Sequence, residues 1–309
     1  PQNIQDSQLL MIFAVCNPSI PVEAQVGLAL RILCGFGIEE IAEAFLSNKE
    51  TINKRLFRAK EKLKDEKLDL IITSPLEIEK RLDAVLTTIY LVFNEGYYSS
   101  TLNQGLRKEF CLEAMRLCYF LIENTSTNLT KVNALMALMC FQASRLNARV
   151  DDLGNNILYE DQNRDLWDEE LIAKANYFLI ESAKGQELTK YHLEASIAYW
   201  HSTKTETKDK WEKILQNYNL LLQIEYSPIT ALNRTYALSR ANGKDVGLLE
   251  AQKINLQGNH LYHSLVGHLL EEKNPKLAIE EYQKAIELSK NKHDKSLLLE
   301  KIVNLRHLI

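Results

Sequence analysis

The chain has 309 residues, 46% of them apolar, with 37 Lys and Arg against 41 Asp and Glu for a formal net charge of −4. This balance excludes a disordered, fibrous or uniformly polycationic chain, and the length allows one large or two ordinary domains. With only 11 Gly and 6 Pro, long unbroken helices are expected, and no apolar run reaches the roughly 18 residues that span a bilayer.

Five Cys stand at 16, 34, 111, 118 and 140, all in apolar runs and none in a CxxC pair. The pattern reads as buried, reduced thiols of a cytoplasmic protein rather than a disulfide frame or a zinc site. The chain opens Pro1-Gln2 without a Met or a signal-like region. It is therefore expected to be a fragment whose upstream domain is missing.

Taken in order, Asp6 to Cys16 is a short apolar helix, stopped by Asn17-Pro18 and Pro21. Val22, Val26, Ala29, Leu30 and Leu33 recur at helical spacing, and Gly35-Phe36-Gly37 breaks that second helix. Ile38, Ile41, Ala42 and Phe45 define a short amphipathic third helix over 37–45. Ser47 and Glu50 have capping-box spacing, so a fourth helix is expected from there to about Lys64.

The fourth helix has two faces. Ile52, Leu56, Ala59 and Leu63 form an apolar stripe, while Thr51, Lys54, Arg58 and Lys62 lie within about 80° of one another, with Arg55 at their flank. Between Lys49 and Lys64 seven bases face two acids, a local +5 that leaves −9 on the remainder. Charge alone permits a solvated helix face or an electrostatic footprint for nucleic acid. Two short helices, a tight turn and a basic second helix add a helix-turn-helix signature, in which the second helix enters the major groove.

A charged break at Lys64-Asp65-Glu66-Lys67 and the entry signal Thr73-Ser74-Pro75 place a linker at 67–75 between a domain over 1–66 and an extension over 76–309. Eleven helices are expected in the extension: 76–93, 105–123, 129–148, 166–183, 188–202, 208–224, 228–242, 245–254, 259–272, 275–289 and 294–307. Short links between them suggest stacked helical hairpins. Gly267, Ala278, Tyr282 and Ala285 approximate the small-residue and aromatic spacing of a tetratricopeptide (TPR) hairpin; ordinary helical packing is the alternative. Arg149 to Tyr159 reads as a small hairpin or an ordered loop, Asp165 as the next N-cap, and Asn94-Glu95-Gly96 as a helix end with Gly96 at C′. The leading unit of about 65 residues is marginal by itself. It is expected to pack on the helix near Leu76 to Phe93 and to leave its basic face free.

No phosphate loop, dinucleotide fingerprint, HExxH or GxSxG stands in the chain, and no nucleophile, base and orienter assemble, so no enzyme and no cofactor are expected. His260, His263 and His268 lack a completing Cys or carboxylate at metal-ligand spacing, and no metal is expected.

The stretches Val22-Glu23-Ala24-Gln25-Val26, Gly37-Ile38-Glu39-Glu40-Ile41-Ala42-Glu43-Ala44-Phe45 and Thr51 to Leu63 resemble region 4 of bacterial sigma-70 factors of the extracytoplasmic-function type. Asn94-Glu95-Gly96-Tyr97 and Tyr159-Glu160-Asp161-Gln162-Asn163-Arg164 with Trp167-Asp168 resemble the extension of one group of these factors, which ends in a TPR-like domain. The resemblance implies an all-α chain: a helix-turn-helix domain of the winged-helix-like, sigma region 4 kind, then an α-α superhelical, TPR-like domain. It implies recognition of the promoter −35 element, docking on the β flap of core RNA polymerase, and a regulatory or protein-partner role for the extension, without a membrane. Thr51, Lys54, Arg55, Arg58, Lys60 and Lys62 are the implied DNA-facing residues. Region 2 has no counterpart in this sequence. Two other functions stay open: a TPR-type scaffold with no DNA role, and a ligand-sensing helix-turn-helix regulator.

Overall fold

A computed structural model describes residues 6–33, 35–45, 47–65, 75–98, 108–149, 151, 157–289 and 292–307. Among the described residues all regular structure is helical, with fifteen α-helices and three short 3-10 turns. The chain divides into two compact units: one of residues 1–99, 104–143 and 174–187, the other of residues 100–103, 144–173 and 188–309. Cys34, the 67–74 connection, the start of the expected 105–123 helix and the turn at 152–156 lie outside the described residues.

In the first unit, α1 (Ser7–Val15) starts where the Asp6 carboxylate accepts from the Leu9 amide at 2.9 Å. It ends at Asn17-Pro18 as its sequence requires. Two guanidinium groups from elsewhere in the unit hold its ends. Arg116 donates to Asp6 at 2.8 Å, and Arg81 donates to the carbonyl of Phe13 at 3.0 Å. The first supports the cap; the second satisfies a last-turn carbonyl and opposes the negative end of the helix dipole. In α2 (Val22–Leu33), Val26, Ala29 and Leu30 are buried, while Val22 in the first turn is exposed.

Helices α3 (Ile38–Ala44) and α4 (Lys49–Asp65) follow. The expected stripe Ile52, Leu56, Ala59 and Leu63 is buried, and α4 packs on α2 and α3. Burying each of the three larger side chains stabilises by about 1.5–3 kcal/mol. Helix α2 comes close to α4 because Gly27 has no side chain; a β-carbon there would stand 2.9 Å from Cδ2 of Leu56. The α4 cap differs from the Ser47–Glu50 box. Asn48 Oδ1 accepts from the Thr51 amide at 2.8 Å, whereas the Ser47 amide is spent on the Ala42 carbonyl at the end of α3.

Helix α5 (Pro75–Tyr98) packs on α1, α2, α6 (Lys108–Glu123) and α7 (Thr130–Ala143). The expected docking of the leading helices on this segment is thus present. Helix α5 runs past the break expected at Asn94-Glu95-Gly96. Phe93 and Tyr97 are buried and their rings stack at 5.6 Å, one helical turn apart. Burying them outweighs the roughly 1 kcal/mol cost of a glycine inside a helix. Every residue of α7 from Lys131 to Ala143 is buried, and Lys131 reaches Asp83 at 2.8 Å. Cys16, Cys111, Cys118 and Cys140 are buried, and none of the four forms a disulfide. Burial pushes the Cys16 and Cys140 thiols up to about 12, so both are inert at neutral pH.

The second unit contains the 3-10 turns Leu146–Ala148, Tyr159–Asp161 and Arg164–Leu166. The ends of the 149–159 segment meet where the Ile157 amide donates to the Arg149 carbonyl at 2.8 Å. Helix α8 (Glu169–Ser182) starts later than expected, because Asp168 rather than Asp165 accepts from the Leu171 amide at 3.0 Å; its residues are shared between the two units. Then come α9 (Lys190–Ser202), α10 (Lys208–Ile224), α11 (Pro228–Asn242), α12 (Lys244–Ala251), α13 (His260–Leu270), α14 (Pro275–Leu288) and α15 (Lys292–Arg306). From α9 onward each helix packs on the next. Gly243, at φ 102°, makes the α11–α12 connection with no helical spacer.

Candidate functional site

The exposed side of α4 forms one wall of an open groove of about 500 Å³. Thr51, Lys54, Arg55, Arg58 and Lys62 line it; Ser19, Ile20, Pro21 and Ala24, from the α1–α2 turn and the start of α2, form the opposite wall. The apolar stripe fixes α4 against α2 and α3, so the residues a third of a turn away must face this gap. Five of the six implied residues are therefore together. Lys60 is not among them; it sits about 180° around the helix from Thr51 and is exposed on the other flank, near Asn53.

The charges of the groove are not all equally available. Lys54 is paired with Glu50 at 2.6 Å, and Lys62 donates to the Ser19 carbonyl at 2.5 Å, which ties α4 to the far wall. Arg55, Arg58 and Lys60 have no carboxylate partner among the described residues. The helix N-terminus adds its own positive end next to Thr51. A strip of guanidinium and ammonium groups beside a helix start suits a phosphate backbone, with Thr51 and Lys54 at the leading end. Sequence reasoning missed the Ser19–Ala24 wall, since its only signal was the Pro21 that ends one helix and starts another.

A second concentration of polar groups lies within the second unit. The Lys210 side chain is 1% exposed and donates to Glu206 at 2.7 Å and to the Tyr159 hydroxyl at 2.9 Å. Glu206 also accepts from the Trp211 indole at 3.0 Å and from Arg164 at 2.9 Å. Burial raises the Glu206 carboxyl, but the hydrogen bonds of Lys210 and Trp211 and the Lys210 and Arg164 charges bring it below its ordinary value. Burial lowers the Lys210 ammonium despite Glu206. His201, enclosed between the Tyr159 and Trp211 rings, is driven down to about 3 by burial and then by Arg145 and Lys210, so it is neutral. The Tyr159 phenol accepts from Lys210 and donates to the His201 carbonyl at 2.8 Å.

The three neighbouring histidines do not converge. His263 binds Glu281 and the Gln257 carbonyl, His268 lies 3.2 Å from Glu271, and His260 lies 3.8 Å from Asp294. Among the described residues no helix is long and apolar enough to cross a membrane.

Residues 81–183, from α5 through α8, match the model of DUF6596, a family of unknown function. The chain is also similar to a curated relative, the "Uncharacterized protein R00370" of Rhizobium meliloti (strain 1021), 33% identical over 271 residues. That alignment covers 87% of this chain and spans 64% of the relative's length. No solved structure matches the chain.

Proposed function

We propose that α1 to α4 form a helix-turn-helix unit of the sigma region 4 kind, which reads a promoter −35 element, and that the chain is part of an alternative sigma factor docking on the β flap of RNA polymerase. The observation that carries this reading is the groove in which Thr51, Lys54, Arg55, Arg58 and Lys62 share the exposed side of α4. Its polarity follows the major-groove pattern: a polar N-terminal end for base edges and bases behind it for phosphates. The successive packing of α9 to α15, with Ala278, Tyr282 and Ala285 buried, supports a TPR-like interaction module in the extension. That same feature favours the second reading, a scaffold for which the basic helix is incidental.

Fluorescence anisotropy of the full chain with a −35-type duplex at several salt concentrations separates the two. The DNA-reading function gives log K falling linearly with log salt, and Arg58→Ala lowers the slope by about 0.9. Thr51→Ala and Lys54→Ala alter the preference among duplex sequences, whereas Arg58→Ala weakens all of them alike. A flat salt response excludes DNA reading. Association of the full chain with purified bacterial core polymerase then distinguishes a sigma factor from an operator-binding regulator.

A further inference from the structure

The second unit holds an open cavity of about 350 Å³, at the small end of the usual range for metabolite pockets, roughly 300–1,000 Å³. Its basic lining comes from four separate elements: Arg164 of a 3-10 turn, Arg240 of α11, Lys244 of α12 and His268 of α13. Its two acids are already engaged. Glu206 neutralises the buried Lys210 and accepts from Trp211, while Glu160 accepts from the Tyr236 hydroxyl at 2.7 Å and from Arg240. Arg164 also donates to Glu206 at 2.9 Å and His268 lies 3.2 Å from Glu271, which is outside the lining, so the lining itself sets three permanent cations, Arg164, Arg240 and Lys244, against two carboxylates.

Those donors are held in place. The Arg240 guanidinium lies 4.6 Å from the Trp211 ring centroid and that of Arg164 lies 5.7 Å from Trp167. Arg240 spends one terminal nitrogen on Glu160 and Tyr236, and Arg164 one on Glu206; the remaining N–H groups of each planar fork suit an oxyanion. Lys244 is paired with Glu272, whose side chain is 81% exposed; a surface pair of this kind yields readily to a better partner.

We propose that this cavity binds the phosphate or carboxylate group of a small metabolite, held between Arg164, Arg240 and Lys244 with His268 at its side. Tyr159 supplies an aromatic wall against the non-ionic part of the ligand. An occupant links the 3-10 turns to α11, α12 and α13, so it stabilises the second unit by mass action. The cavity shares no lining residue with the α4 groove.

The test uses the full chain, with inorganic phosphate and succinate titrated separately at constant ionic strength and sodium chloride as the control. Binding is read by calorimetry and by thermal unfolding. Expected is saturable binding of at least one anion with Kd of about 1 mM or tighter, accompanied by a rise in Tm. Saturation by phosphate alone assigns a phosphate ligand, and by succinate alone a carboxylate. Lys244→Gln, which removes the pair with Glu272 and a longer contact of 3.9 Å with Glu271, is expected to weaken binding about tenfold or more, while the Tm of the free chain falls by no more than a few degrees. Arg164→Gln, measured by the same calorimetry, is expected to weaken it similarly. Heats that match chloride and never saturate overturn the proposal, as does wild-type affinity in both variants.

Discussion

Gly267 of α13 faces the ring of Tyr282 on α14: a β-carbon on Gly267 would stand 2.7 Å from both Cδ1 and Cε1 of the tyrosine. The Tyr282 ring is buried and cannot swing away, so the closest approach of these two helices depends on the missing side chain. Gly267→Ala is expected to destabilise the chain by about 1–3 kcal/mol in urea unfolding. Gly258→Ala, where the added carbon meets nothing within 4 Å, serves as the control and is expected to be near neutral.

Lys210 and Glu206 are unequal partners. Removing the acid strands a buried ammonium, so Glu206→Ala is expected to cost about 3–5 kcal/mol. Lys210→Met leaves Glu206 with its Trp211 and Arg164 donors, and the glutamate is partly solvated. It is expected to cost clearly less. Paired denaturant curves of the two variants check the order; an equal or larger loss for Lys210→Met contradicts it.

Glu50 holds Lys54 at the leading end of the α4 groove. Its removal frees one cation for the duplex and takes a negative charge from the groove. On the DNA-reading function, Glu50→Gln is expected to tighten duplex binding and to steepen the salt slope by about 0.9. Stability changes little, because both side chains are largely exposed. Anisotropy titrations at two salt concentrations read the effect.

Acid stability depends in part on Glu271. Burial raises its carboxyl, but hydrogen bonds from His268, Tyr282 and Lys301, with the Lys301 charge, bring it from an ordinary 4.5 down to about 2. The folded value lies below the unfolded one, so the contribution is complete above about pH 4.5 and fades as pH falls toward 2. The Tm difference between wild type and Glu271→Gln is expected to be largest at neutral pH and to shrink across that window. A difference that stays constant from pH 7 to pH 3 rules out this linkage.

Local periodicity made much of this legible in the sequence. The stripe Ile52, Leu56, Ala59 and Leu63 needs only 3.6 residues per turn to be found, and the basic side of α4 follows from it. The eleven helices after residue 75 follow from apolar spacing and Gly, Pro and Asn punctuation in the same way. What depends on distant partners was not legible. The end of α5 was misplaced because Gly96 signals a stop locally, while the burial of Phe93 and Tyr97 is decided by neighbouring helices. Lys62 finds a carbonyl 43 residues away at Ser19, and Glu160 meets Arg240 across 80 residues. Lys210 and Glu206 have ordinary helical i, i+4 spacing, and nothing in that spacing distinguishes a buried pair from a surface one.

The grip of Arg81 and Arg116 on the two ends of α1 makes the first four helices a poor candidate for transplantation. A chimera that grafts residues 6–65 onto an unrelated body leaves behind both guanidinium anchors and the α5 surface on which α1 and α2 rest. The orphaned segment keeps its own apolar stripe on α4 but loses the clamp on its first helix. Changes to the exposed side of α4 are better made in place, because α2, against which that helix packs, itself rests on α5 outside the segment.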